Sequence, residues 1–195
     1  LVGLSYAKKF LKSKGMDCTI QRPTPFHTKV SIKRSTNSVY NVGVREAFFE
    51  GLIPLESDLK SGEVLTINND KYIAQTVNYD LASKELEFYC AKCNVIVQHQ
   101  RHEETTDENF NVVMDWETIN PDIPAYGEVI TYRMIQQDPG LLEGTKYTLQ
   151  VPKSLGVELL DRFTFNGEKY EVISIDDIGL KGISRIQLKI DLRAD

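Results

Sequence analysis

Cysteine, histidine and tryptophan are scarce in this chain of 195 residues, which has three Cys, three His and one Trp. Cys18, Cys90 and Cys93 cannot all pair within one chain and are too few for a disulfide-built scaffold, so the sequence points to a reducing compartment and an ordinary apolar core. No apolar run approaches the roughly 18 to 20 residues that cross a bilayer as a helix. The opening residues also lack the charged, apolar and small-residue regions of a secretion signal, so a soluble protein made in a cytosol, with no membrane partner, is expected. The phosphate-cradling glycine loop, the nucleophile elbow and the calcium-loop spacing are all missing as motifs, which removes the sequence support for nucleotide hydrolysis, serine hydrolysis and an EF-hand.

What is present first is a repeat. The segment GEVLTINNDKYIAQTVNYD from Gly62 to Asp80 is written again 98 positions later as LDRFTFNGEKYEVISIDDI from Leu160 to Ile178. Without gaps, Leu65 falls on Phe163, Thr66 on Thr164, Asn68 on Asn166, Lys71 on Lys169, Tyr72 on Tyr170 and Val77 on Ile175. Each copy alternates apolar and polar residues into Asn68-Asn69-Asp70 or Asn166-Gly167-Glu168, residues that tolerate the positive φ of tight hairpin turns. The repeated unit is therefore a β-hairpin, and an isolated hairpin is marginal in water, so each copy needs further strands around it. A self-similar offset of this size predicts a mainly β protein of two related small barrels or sandwiches.

The rest of the chain fits around that pair. Leu4, Ala7, Phe10 and Leu11 recur at helical spacing with lysines elsewhere around the cylinder and Gly15 as a stop, predicting a short amphipathic N-terminal helix. Strands are expected over 17–22 and 29–34, an irregular segment over 43–58, two strands within 84–101, a turn over 121–124, and further strands over 128–136, 145–151 and 183–192. The polar run from His102 to Asn111 has no periodicity and reads as a linker, placing a boundary between a first module of 1–104 and a second of 105–195.

Charge is uneven. The net value is −5, yet residues 1–45 carry a balance of +8 and the remainder −13. Such asymmetry suits contact with an oppositely charged partner, which in an oligomer is the next subunit. Lys8, Lys9, Lys12, Arg22, Lys33 and Arg34 are the candidate interface residues. The acidic total weighs against tight DNA binding, which depends on Lys and Arg contacts to phosphate.

Chemistry-bearing clusters are sparse. Cys90 and Cys93 in a C-x-x-C pair, with His99 and His102 downstream, are the residue types that hold tetrahedral zinc. The short step from Cys93 to His99 and the opposite faces that alternation gives the two thiols favour plain buried cysteines instead. His27 and the Asp176-Asp177 pair, with Asp161 and Asp191, are the remaining candidates for a hydrolase or a hard-cation site, and solvated turn carboxylates are the simpler reading of the acids. No cofactor is expected.

The order of helix, strand pair and then LKSGEVLTINNDKYIAQTVNYDLASKELEF resembles the neck proteins of tailed bacteriophages, the small head-tail connector or head-completion (stopper-like) proteins. Leu59, Ser61, Gly62, Val64, Thr66, Ile67, Lys71, Tyr72, Ile73, Val77 and Asp80 carry the likeness, directly over the first half and through the repeat over the second. The resemblance implies a non-enzymatic virion protein, produced in the bacterial host cytoplasm. It implies a homo-oligomeric ring between portal or adaptor proteins on the head side and tail terminator or tail tube proteins on the tail side. DNA would pass through that ring without sequence-specific binding. Family members often carry a single barrel, so two modules leave open a tail-end or baseplate station, and a monomeric β-rich binding module with a structural zinc is the rival outside the family.

Overall fold

The computed structural model describes residues 6–35, 47–106, 110, 112–131, 134, 136 and 140–193, without the side chains of 104–106 and 112–114. The helix α1 spans Tyr6–Lys14, with Leu11 buried beneath it and the Gly15 N–H closing on the Leu11 carbonyl. Six strands follow: β1 (Met16–Gln21), β2 (Phe26–Arg34), β3 (Phe48–Ile53), β4 (Val64–Ile67), β5 (Asp70–Asp80) and β6 (Glu85–Lys92). Six more follow these: β7 (Val95–Thr106), β8 (Val112–Val129), β9 (Tyr147–Pro152), β10 (Arg162–Phe165), β11 (Glu168–Asp176) and β12 (Ile183–Ile190).

Each set closes into an antiparallel barrel. The first runs β1-β2-β3-β6-β5-β4 and the second β7-β8-β9-β12-β11-β10, so strand n of the first matches strand n+6 of the second. The repeat seen in the hairpins therefore extends to whole barrels, and closure removes the open edges that would otherwise recruit other strands. One compact unit comprises residues up to Cys93 together with Leu180–Ile183, and the other Asn94–Gly179 with Ser184 onward.

Backbone details repeat with the same offset. A short 3-10 turn precedes each hairpin, Leu55–Ser57 after Pro54 and Lys153–Leu155 after Pro152, and each ends on a left-handed residue, Asp58 or Gly156. Positive φ recurs at Gly62 and Leu160, at Asn68 and Asn166, at Asn69 and Gly167, and at Lys84 and Gly182. The β-bulge between Ala74 and Thr76 in β5 has its twin between Val172 and Ser174 in β11. Each barrel has its own core: Ile20, Val30, Leu65, Ile67, Tyr72 and Phe88 are central to the first, and Val97, Leu149, Phe163, Tyr170, Val172 and Leu188 to the second.

Several sequence expectations are corrected. The boundary falls at Cys93/Asn94, not 104/105, because His102–Thr106 is the end of β7 paired with β8 rather than a linker. Polar composition there marks a two-stranded ribbon. The expected turn over 121–124 is part of β8, where Pro121 lies in a bulge between the Asn120–His99 and Ile123–Val97 pairs, a position that needs no ladder N–H from proline. The expected strand over 128–136 stops at Val129, at the end of β8. The expected irregular segment contains β3, in which Gly51 sits opposite Phe88. The strand expected over 183–192 ends at Ile190, and both Ile190 and Leu192 are exposed. The strand expected over 29–34 begins earlier, at Phe26, and residues 36–46 lie outside the described residues.

Candidate functional site

The two barrels share one polar device. In the first, Arg22 at the end of β1 pairs with Glu63, its Nε 2.5 Å from Oε1, and donates from Nη2 to the Asp58 carbonyl. In the second, Arg101 pairs with Asp161, with Nε to Oδ1 at 2.9 Å, and donates to the Gly156 carbonyl. The acid in each case also accepts from a backbone N–H three residues earlier, Lys60 or Glu158. Each arginine thus ties its first strand to the left-handed turn and to the start of its fourth strand. Arg22, one of the interface candidates, makes these contacts within its own unit.

Beyond that shared device the second barrel diverges toward charge. Where the first barrel pairs Ile20 with Leu65, the second pairs His99 with Phe163. His99 is fully buried, stacked on Phe163 with centroids 4.9 Å apart. Its Nε2 lies 2.7 Å from Asp161 Oδ2, and its Nδ1 faces the Asn120 amide at 3.3 Å. An amide donating to Nδ1 leaves Nε2–H to donate to the carboxylate, which sets the tautomer. Burial on its own raises the Asp161 pKa, but hydrogen bonds from Arg101, His99 and the Glu158 N–H outweigh it and hold the group at about 2.

A second buried pair replaces Val64 and Cys93 of the first barrel, at the matching positions, by Arg162 and Asp191. Arg162 Nε donates to Asp191 Oδ2 at 2.7 Å, and Arg193 donates to both oxygens of the same carboxylate. The Arg162 guanidinium lies 3.6 Å from the centre of the Trp116 ring and that of Arg193 4.8 Å, while His102 packs on the same indole. Two cations over one indole are mutually tolerable because Asp191 lies between them and Glu171 pairs with Arg193 at 3.5 Å.

The structure does not bring the zinc candidates together. Cys90 is fully buried in the first core, Cys93 follows β6, and His99 and His102 belong to the second barrel in the contacts above. Burial pushes the Cys93 thiol up to about 12 and the Cys90 thiol higher still, the reverse of what a thiolate ligand needs. Among the described residues, no cluster of three or more His, Cys, Asp or Glu is suited to a metal. The hard-cation candidates are likewise occupied. Asp161 and Asp191 hold arginines, Asp176 accepts from the Ile178 and Gly179 N–H groups, and Asp177 accepts from Ser184. His27 is exposed beside the Thr19 hydroxyl at 3.0 Å.

The basic face is only partly committed. Lys8 pairs with Glu56 at 2.8 Å and Lys33 with Glu50 at 3.0 Å, whereas Lys9 and Lys12 are exposed on α1 beside Tyr6 and Phe10; Arg34 closes β2. Sequence reasoning missed the arginine–carboxylate pairs and Trp116. The repeat alignment did contain a signal, since it places Glu63 on Asp161 directly before the matched strands.

These features define a class: a tandem of two closed six-stranded antiparallel barrels with one topology, joined to a basic N-terminal helix. No family model matches the chain, and neither does any curated protein. Among solved structures, protein SF1141 from Shigella flexneri 2a is similar over 52% of this chain and 96% of its own, with 13% identity and a TM-score of 0.40. The K. pneumonia MrkH–c-di-GMP complex is similar over 95% of this chain and 84% of its own, with 7% identity and a TM-score of 0.18. Both likenesses are remote. No helix among the described residues is long and apolar enough to cross a membrane.

Proposed function

We propose that this chain is a structural, non-enzymatic protein of a tailed-phage virion, one subunit of an oligomeric ring in the neck between portal and tail through which DNA passes. The observation that carries the reading is the segment bearing the neck-protein likeness: it forms β4 and β5 and enters β6 of a closed barrel, and the copied hairpin builds β10 and β11 of a second. Closed barrels offer no free strand edge, so subunits of this kind associate through side-chain surfaces and projecting elements. The chain carries both, in the basic helix α1 and in the long β7–β8 hairpin. A second barrel adds a second set of faces for the next ring along the axis, on the tail side or at a tail-end station.

The test is the mass of the purified chain in solution across a concentration series, by light scattering after size exclusion, with negative-stain images of any large species. Particles of many times the 22.2 kDa chain mass with a central hole are expected. A single-chain species at every concentration counts against self-assembled rings.

A further inference from the structure

The β7–β8 hairpin outgrows its barrel. Strand β10 pairs with β7 only through Gln98–Gln100, and β9 pairs with β8 only through Tyr126–Val129. Beyond those positions Arg101–Thr106 and Val112–Glu117 pair only with each other among the described residues, as a two-stranded ribbon. One face of that ribbon carries His102 and Trp116, covered by Arg162 and Arg193. On the other face Glu103 sits directly opposite Asp115, and the neighbouring rung sets Arg101 opposite Glu117.

That arrangement is unfavourable in isolation. Like charges directly across an antiparallel pair destabilise it, and a two-stranded ribbon has little stability to spare. The Arg101 guanidinium offsets the conflict only in part: it feels the charge of Glu103, but its hydrogen bonds and short ion pairs go to Asp161, Glu158 and the Gly156 carbonyl. Glu103, Asp115 and Glu117 are exposed and make no ion pair among the described residues. The ribbon therefore presents a negative face whose natural complement is a cationic surface.

The chain supplies such a surface on α1. Lys9 and Lys12 lie three residues apart on the exposed side of the helix, next to Tyr6 at 88% exposure and Phe10 at 43%. Exposed aromatics flanked by lysines form an interaction face rather than a merely solvated one. We infer that α1 of one copy docks on the acidic face of the β7–β8 ribbon of a second copy. Because the two patches differ, the contact is heterologous, and repeated contacts of that kind close into rings. This inference rests on the ring reading and names the surfaces that join its subunits.

Two charge-reversed chains test it: Lys9→Glu with Lys12→Glu, and Glu103→Lys with Asp115→Lys. All four side chains are exposed, so folding is checked by far-UV circular dichroism and the lone tryptophan's emission. Each variant alone is expected to lose association by at least about tenfold, the scale of repelling charges at a contact. An equimolar mixture is expected to assemble again, because the acidic helix of the first variant meets the basic ribbon of the second, and the basic helix of the second meets the acidic ribbon of the first. A wild-type ring with both variants unaffected, or a mixture that stays apart, overturns the contact and leaves the ring reading standing. A wild-type chain that stays single throughout overturns both.

Discussion

Asp161 shows how one residue's chemistry is decided by its neighbours. At the matching position the first barrel has Glu63, which meets one arginine and the Lys60 N–H, whereas Asp161 meets Arg101, the Glu158 N–H and the buried His99 as well. Its folded pKa of about 2 lies below the ordinary 3.8. The stability it contributes is therefore present above about pH 4 and is lost as pH falls through the folded value. Asp161→Asn should destabilise the second barrel at neutral pH by on the order of 2 kcal/mol and flatten the acid limb of its stability between about pH 4 and 2. Equilibrium unfolding at several pH values checks this, and an unaltered acid slope would show that the depressed carboxylate is not what loosens the barrel in acid. The Arg162–Asp191 pair tells a related story, since the first barrel fills the same two positions with Val64 and Cys93. Buried ion pairs are often replaceable by apolar ones at little net cost, so the pair belongs to the second barrel's own packing rather than to the shared topology. None of this was legible as a contact from the sequence. Arg101 and Asp161 are 60 residues apart and meet only once β7 and β10 have paired.

At the level of elements, the hairpins were readable because their signals are local. Asn68, Asn69, Asn166 and Gly167 adopt the positive φ that their side chains tolerate, and alternation gives the flanking strands. β3 was not readable, because Gly51 and Pro54 look like breakers. Pro54 lies just past the strand end, and Gly51 is there for space: a Cβ on it would lie 2.3 Å from the Ser31 carbonyl oxygen and 2.9 Å from Phe88 Cζ. The glycine lets the Phe88 ring lie over its neighbour in β3 and complete the core. Gly51→Ala should therefore destabilise the first barrel by about 1 to 3 kcal/mol, the cost of overpacking. Strand propensity alone expects the opposite sign. A raised denaturation midpoint would thus reject the packing account in favour of propensity. β8 was misread for a complementary reason, since Pro121 falls in a bulge of the β7–β8 ladder, where proline is tolerated, and Pro124 takes a place in register opposite Ile96.

For the whole molecule, the sequence made the duplication and the β class legible, because both depend on patterns that a single offset exposes. It did not reveal that the topology is duplicated strand for strand, since β7 and β8 are lengthened into a ribbon that hides their match to β1 and β2. The two cores share none of their central residues, and Tyr72 and Tyr170 play equivalent parts in them. Tyr72 packs edge-on to Phe49 at 5.3 Å, and Tyr170 stacks on Phe165 at 4.5 Å. Truncating either should remove about 3 kcal/mol or more from its own barrel. Trp116, the lone tryptophan, lies in the second unit, so its emission reports that barrel while circular dichroism reports both. Tyr170→Ala is expected to lower the fluorescence midpoint in denaturant, and Tyr72→Ala to shift part of the dichroism transition while leaving fluorescence where it was. If Tyr72→Ala lowers the fluorescence midpoint together with the whole dichroism transition, the barrels unfold as one cooperative body, and the duplication has been welded into a single folding unit rather than kept as two.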